Sequence, residues 1–254
     1  AELAGNHRAH HMRTVLSSQL GMDDTKIRVI APDVGGGFGM KANVFPEELI
    51  AAALSRRYRL AVKWIPDRQD DLVTSAHARD FRFTLTLAVD AEGILVAMHL
   101  DALVNIGAYP NYPFGTSLEA AGGARNIPGP YRFRHLAFET RAVTTNTCPT
   151  GAVRGVAAPI SFFALEGMID RAARALGIDP AELRRRNLLV DADLPWVSAT
   201  GVRYDSGSYL KCMERALELA GYTEFRRNQP ASRLADGLYR GIGIAVITEQ
   251  TGMG

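Results

Sequence analysis

The chain has 254 residues, 47% of them hydrophobic and 22% charged, an ordinary globular composition that allows one large domain or two small ones. Its 29 basic and 27 acidic residues leave a net charge of +2, too near neutral and too scattered to imply a nucleic acid or a membrane surface as partner. No apolar run approaches the roughly 18 residues of a membrane span, and the amino terminus has no signal-peptide pattern, so the expectation is a cytoplasmic chain. It starts without methionine, and an upstream segment is expected to be missing. Cys148 and Cys212 stand far apart without a C-x-x-C pattern, which predicts neither an iron–sulfur cluster nor a disulfide framework in this chain.

In chain order, His11 to Gly21 carries Met12, Val15, Leu16 and Leu20 on one face and predicts a helix stopped by Gly21. Lys26 to Ile30 predicts a strand. Glu47 to Arg59, behind Pro46 at a first-turn position, predicts the next helix, in which Glu47 and Glu48 complement the macrodipole. Ala61 to Ile65 reads as a strand. Phe81 to Val89 alternates, Asp90 to Gly93 supplies a turn, and Ile94 to Val104 completes a β-hairpin. A stretch rich in glycine and proline, Gly107 to Gly123, reads as a long loop, and Phe133 to Thr145 as a further strand region. Ile160 to Leu176 is a helix with Phe163, Leu165, Met168, Ile169, Ala172 and Leu176 spaced for burial, and Gly177 ends it. Asp179-Pro180-Ala181-Glu182 opens another helix as cap, first turn and third residue. Its basic run, Arg184 to Arg186, reads as a solvated helix end. Asp191 to Gly207 reads as a linker, Tyr209 to Leu219 as a helix and Leu238 to Ile247 as a strand, giving an α+β fold class overall.

The most informative stretch is Gly35-Gly36-Gly37-Phe38-Gly39-Met40-Lys41, between a strand and a helix. Glycines let a ligand approach the main chain, and successive N–H groups beside a helix start attract an anion. Two familiar phosphate loops fail here. The sixth position from Gly35 is Met40, not the glycine of G-x-G-x-x-G, which argues against a nucleotide-binding dehydrogenase. Lys41 is followed by Ala42, which breaks the P-loop pattern. Phe38, a large aromatic among glycines, is suited to wall a cavity. At a second strand-to-helix junction stands Arg154, whose planar fork of donors suits a phosphate or an oxo group.

The run Val29 to Lys41 resembles the molybdenum-cofactor loop in the large subunit of the xanthine dehydrogenase, aldehyde oxidase and carbon monoxide dehydrogenase family. Further matches stand in the family's order: Pro46-Glu47-Glu48, Val62-Lys63-Trp64, His77-Ala78-Arg79-Asp80, Gly107-Ala108-Tyr109, Arg154-Gly155, and Ile169-Asp170-Arg171 through Asn187-Leu188. The resemblance implies mixed sheets and helices of the molybdenum-cofactor-binding domain of the aldehyde oxidase type. Residues 1–190 would be the first such domain, lacking its amino-terminal part, and 191–254 a linker and the start of a second.

It further implies a molybdenum hydroxylase that oxidises an aldehyde or N-heterocycle with water as oxygen source. The cofactor would be molybdenum–molybdopterin in its cytosine dinucleotide form. Electrons would pass to an iron–sulfur small subunit and an FAD medium subunit, and the rest of the large subunit would be a further partner. Gly36, Gly37, Phe38 and Gly39 would lie against the cofactor, Arg154 would donate to it, and His7 would take a position that is glutamine in many relatives. Gly155 stands where the copper-binding carbon monoxide dehydrogenase has cysteine, which disfavours CO oxidation. The glutamate base is expected beyond the end of the chain, with Glu249 a strand or turn carboxylate. His7, His10 and His11 lack partners at ligand spacing and read as a polar helix entry rather than a metal site. The alternative is a non-catalytic cofactor-binding or assembly fragment, inactive on its own.

Overall fold

The computed structural model describes residues 2–4, 8–113, 115–229 and 237–249. Helices and strands are mixed, as the patterning predicts. The chain forms two units from interleaved stretches: Ala1–Phe81, Leu103–Ala120 and Arg141–Val156 in the first, and Arg82–Ala102, Ala121–Thr140 and Ala157–Gly254 in the second.

In the first unit a short strand β1 (Glu2–Ala4) pairs in parallel with β2 (Arg28–Ile30). Between them α1 (Ala9–Leu20) buries Met12, Val15 and Leu16, and Gly21 ends it in the left-handed region, donating its N–H to the Ser17 carbonyl. The predicted strand start at Lys26 gives way to a 3₁₀ turn, because the Asp23 carboxylate accepts from Thr25 N at 2.9 Å and Thr25 Oγ1 at 2.6 Å. Helix α2 (Pro46–Tyr58) begins with Pro46 in its first turn, and Glu48 Oε2 accepts the Phe45 N–H at 3.0 Å. None of the residues of α2 is buried, so the small core of this unit is Met12, Leu16 and Ile27, flanked by half-buried Leu49 and Ala52. Ala61 to Ile65, expected as a strand, forms none, and all five residues are exposed. Helix α3 (Arg68–Thr74) follows, capped by the Asp67 carboxylate on Asp70 N at 2.8 Å.

Most of a three-stranded sheet of order β3-β4-β5, from β3 (Phe81–Val89), β4 (Leu95–Asn105) and β5 (His135–Val143), falls in the second unit. Asp90 closes the β3–β4 turn by donating its N–H to Ile94 O at 3.0 Å and accepting Ile94 N on its carboxylate at 2.7 Å. Within the stretch expected as loop, Gly115–Asn126 is a helix, α4, with Ala120 and Ala124 buried. Its glycines concealed it, since their cost to a helix is offset where small residues pack closely. Helix α5 (Ala158–Leu176) packs through Phe162, Leu165, Ile169 and Ala173. This face is rotated from the expected one: Phe163 is 83% exposed and Leu176 also reaches solvent. Helix α6 (Pro180–Asn187) starts as read, with the Asp179 carboxylate accepting from Ala181 N and Glu182 N.

The expected linker contains a two-residue hairpin, β6 (Trp196–Val197) with β7 (Arg203–Tyr204), before α7 (Tyr209–Leu219) and α8 (Tyr222–Asn228). Leu238 to Ile247 forms no strand; Ile242, Ile244 and Val246 pack against the core instead. Arg184, read as part of a solvated run, is fully buried. It donates Nε and Nη2 to Glu166 Oε2 at 2.9 and 2.7 Å, Nη1 to Asp170 Oδ1 at 2.8 Å, and Nη2 to Ile244 O at 2.9 Å. Tyr131 Oη donates to the other Glu166 oxygen at 2.7 Å. Burial raises the Glu166 carboxyl above its ordinary range, and Arg184 opposes that shift.

Candidate cofactor site

The glycine loop and the arginine segment meet within the first unit. Gly36 and Gly39 have φ of +129° and +96°, which side chains rarely adopt, and Phe38 itself sits at +49°. The Phe38 ring lies over Gly36, where a Cβ would stand 2.5 Å from ring carbon Cε2. A Cβ on Gly39 would stand 2.5 Å from the Ala152 carbonyl oxygen and 3.0 Å from Val153 Cα. That contact is backbone against backbone, so only glycine permits it. One residue further along, Arg154 N–H donates to the Phe38 carbonyl at 2.8 Å. Loop residues more than a hundred positions apart are therefore locked together through main chain.

A second arginine secures the junction. Arg79 Nη2 donates to Val153 O at 3.0 Å and also to Arg154 O, while its Nε donates to Val156 O. Beside it, His77 N donates to Pro149 O at 2.9 Å and Gly151 N to His77 O at 3.0 Å, a parallel bridge that holds residues 149–151. Gly151 again has no room for a side chain, with Ala76 Cβ 2.7 Å and Asn43 Nδ2 2.9 Å from where its Cβ would be. Three segments, 36–43, 76–79 and 149–156, form one frame.

This frame leaves polar capacity unused. Arg154 is exposed, and its guanidinium makes no hydrogen bond or ion pair with the described residues. Asn43 is 1% exposed, yet its Oδ1 has no partner among the described residues. Glu119, on the part of α4 that belongs to this unit, is 4% exposed, and neither carboxylate oxygen has a hydrogen-bond partner among them. Burial pushes the Glu119 carboxyl up to about 7, against the opposing charge of Arg79. Buried polar atoms without partners cost free energy unless water or a ligand satisfies them. Phe38 is 65% exposed, an apolar side chain left facing outward on the turn to which Arg154 is bonded. A hollow of about 250 Å³ adjoins the loop's exit, lined by Met40, Phe45, Trp64 and Ser75 among others. A larger hollow of about 790 Å³, lined by Tyr204, Asp205 and Tyr209, contains none of the loop residues and lies in the second unit.

Of the residues singled out in the sequence, Gly36, Gly37, Phe38 and Gly39 share one turn, and the backbone of Arg154 is bonded to it. His7 lies outside the described residues. His10 and His11 stand in α1, where His11 stacks on Tyr112 with ring centroids 5.4 Å apart. Glu249 lines the larger hollow. Reading by motif did not single out Arg79 or Glu119. Arg79 lay inside a quoted match, but its carbonyl partners are about 75 residues away, and no local pattern marks such a contact. Among the described residues no group of three or more His, Cys, Asp or Glu is placed to hold a metal ion, and no helix is long and apolar enough to cross a membrane.

Residues 4–188 match the family described as "Molybdopterin cofactor-binding domain". The chain is 37% identical over 244 residues to the nicotine 6-hydroxylase large subunit of Paenarthrobacter nicotinovorans, covering 96% of this chain and 30% of that protein. It is 35% identical to the carbon monoxide dehydrogenase large chain of Afipia carboxidovorans, covering 99% and 32%. Among solved structures, quinoline 2-oxidoreductase from Pseudomonas putida 86 superposes with a TM-score of 0.87 at 36% identity, over 91% of this chain and 30% of that one. The chain thus spans about a third of the length of the relatives it matches. With a family match over most of its length and a glycine loop locked to an arginine segment, the chain belongs to the molybdopterin cofactor-binding domain family of the molybdenum hydroxylases.

Proposed function

We propose that this chain is part of the large subunit of a molybdenum hydroxylase, with residues 1–190 forming its first cofactor-binding domain and 191–254 a linker and the opening of a second. The observation that carries this reading is the bond from Arg154 N–H to the Phe38 carbonyl, which ties the segment bearing an exposed arginine to the glycine turn bearing an exposed ring. The donor set fits an anionic pterin cofactor. A Cβ at Gly35 would meet nothing within 4 Å, so the main chain is open to approach there, and Arg154 retains its fork for an oxo or phosphate oxygen. The orphaned oxygens of Asn43 and Glu119 accept or, once protonated in the case of Glu119, donate.

When bound, the molybdenum–molybdopterin cofactor supplies the oxygen-transfer and two-electron chemistry. The residues of this chain position and screen. Gly36, Gly37 and Gly39 provide the close backbone wall, and Phe38 forms the apolar side that faces substrate and excludes water. Arg154 would offer positive charge to anionic oxygens of the cofactor, and Arg79 holds the carbonyls of residues 153, 154 and 156 so that this segment is pre-organised. His7 is a further donor in this reading. We assign the proton-accepting carboxylate to none of the described residues.

The substrate class is an aldehyde or N-heterocycle, with water as oxygen source. The names of the nicotine- and quinoline-directed relatives favour the heterocycle. Electrons would leave through iron–sulfur and FAD partner subunits, and the cofactor would be the cytosine dinucleotide form. The test is metal and pterin analysis of the complex assembled with its neighbouring gene products. Stoichiometric molybdenum and pterin are expected, and Arg154→Ala lowers both while Phe38→Ala shifts substrate preference. An assembled complex with neither molybdenum nor pterin favours the non-catalytic assembly module instead.

A further inference from the structure

The segment Ala61–Ile65 has the composition of a strand but none of the bonds of one. Val62, Trp64 and Ile65 are apolar, β-favouring residues, and they are 39%, 45% and 69% exposed. No backbone hydrogen bond joins any of these five residues to the described parts of the chain. The Leu60 carbonyl just before them is satisfied by Ser55 Oγ at 2.7 Å, which fixes where the open run begins. Apolar surface continues onto the neighbouring helix, where Ile50 and Tyr58 are 55% and 61% exposed. A β-favouring run whose N–H and C=O groups find no backbone partner among the described residues, and whose apolar side chains are exposed, is a template for strand addition and costly to leave in water.

We propose that Ala61–Ile65, which belongs to none of the sheets among the described residues, becomes a strand by pairing with a β-strand from the remainder of the same polypeptide. The occupant follows from length. Relatives matched over nearly all of this chain are about three times as long, so most of the large subunit lies outside these residues. The segment also borders the candidate site. Trp64 lines the hollow beside Met40 and Phe45, so the incoming strand closes one side of the wall next to the glycine loop. Main-chain bonds supply the affinity, and the apolar side chains at 62 and 64, which share one face of a strand, set the register by packing beside like residues of the incoming strand.

The inference rests on the large-subunit reading, and its test is chosen to fail separately from it. Amide hydrogen exchange is measured across residues 59–67 in the full-length subunit and in the 254-residue chain, with molybdenum and pterin content measured on the same full-length sample. Exchange at 62–65 is expected to be about tenfold or more slower in the full-length protein. Equal, fast exchange in both overturns the strand pairing even where molybdenum is present; protection without molybdenum upholds the pairing and counts against the cofactor reading. Concentration-dependent dimerisation of the 254-residue chain with protected amides makes a second copy the occupant and also overturns the proposal. As a second readout, Val62→Pro removes one main-chain donor. It should lower the melting temperature of the full-length protein and leave the 254-residue chain unchanged, and an equal loss in both refutes strand addition.

Discussion

Each unit is organised around one arginine, and the two arginines are used in opposite ways. Arg184 in the second unit is fully enclosed, its guanidinium bonded to Glu166 and Asp170, with Tyr131 completing the set. Arg79 in the first unit also bonds without reserve, but only to carbonyls, while the carboxylate whose charge it feels, Glu119, is buried with no hydrogen bond among the described residues. A satisfied network fixes a core, and an unsatisfied one marks a place where something else is to bind. The apolar cores agree with this division. The second unit buries Leu95, Leu100, Phe162, Leu165, Ile169 and others in one cluster, whereas the apolar cluster of the first is the smaller set Met12, Leu16 and Ile27. The unit that carries the glycine loop is less self-sufficient, and stability is found away from the loop.

The comparison is broken most directly at Arg184. Arg184→Ala leaves Glu166 buried without its cation and should cost about 3–5 kcal/mol in denaturant unfolding. A loss below about 1 kcal/mol would show that the enclosed network is dispensable, and the contrast between the units would fall.

The next effect concerns Glu119 and pH. Its folded value is raised to about 7, so between the ordinary carboxyl range and neutrality the unfolded chain has released a proton that the folded chain retains. The stabilising contribution is full below the unfolded value and is lost as pH rises through about 7. Glu119→Gln should flatten this fall in a pH series of unfolding curves. An unchanged pH profile would mean that the carboxyl is already satisfied.

Gly39→Ala should act locally, through the clash with the Ala152 carbonyl, at a cost of about 1–3 kcal/mol. Amide exchange at Arg154 should accelerate while that of the second unit does not change. The smallest effect is expected at Phe38, where truncation to Ala removes a largely exposed ring and should alter stability by less than about 0.5 kcal/mol. A larger loss would show that the ring is core and not a wall.

Much of the second unit was legible because its signals are local. Gly177 and Asp179 end and begin helices through their own backbone and side-chain bonds, and the Phe81–Val89 alternation needs only a neighbouring strand. The features that pattern misplaces are those decided by distant partners. The face of α5 depends on what lies opposite, so Phe162 replaced Phe163. Arg184 looked like surface charge until Glu166 and Asp170 were brought to it. Ala61–Ile65 carries a strand pattern whose pairing partner is not among the described residues, and pattern alone does not supply one. At the site the glycine turn and Arg154 were visible as composition and motif. Arg79 and Glu119 were not, because a clamp on carbonyls and a buried lone carboxyl leave no periodicity to read.

The bonds of Arg79 have an evolutionary side. They go to the carbonyls of residues 153, 154 and 156, which every amino acid possesses, and not to side chains. Side chains on that turn are thus free to vary while its backbone stays in place. A scaffold fastened in this way can be refitted for a different small molecule one residue at a time, with the anchoring of the turn unchanged at each step.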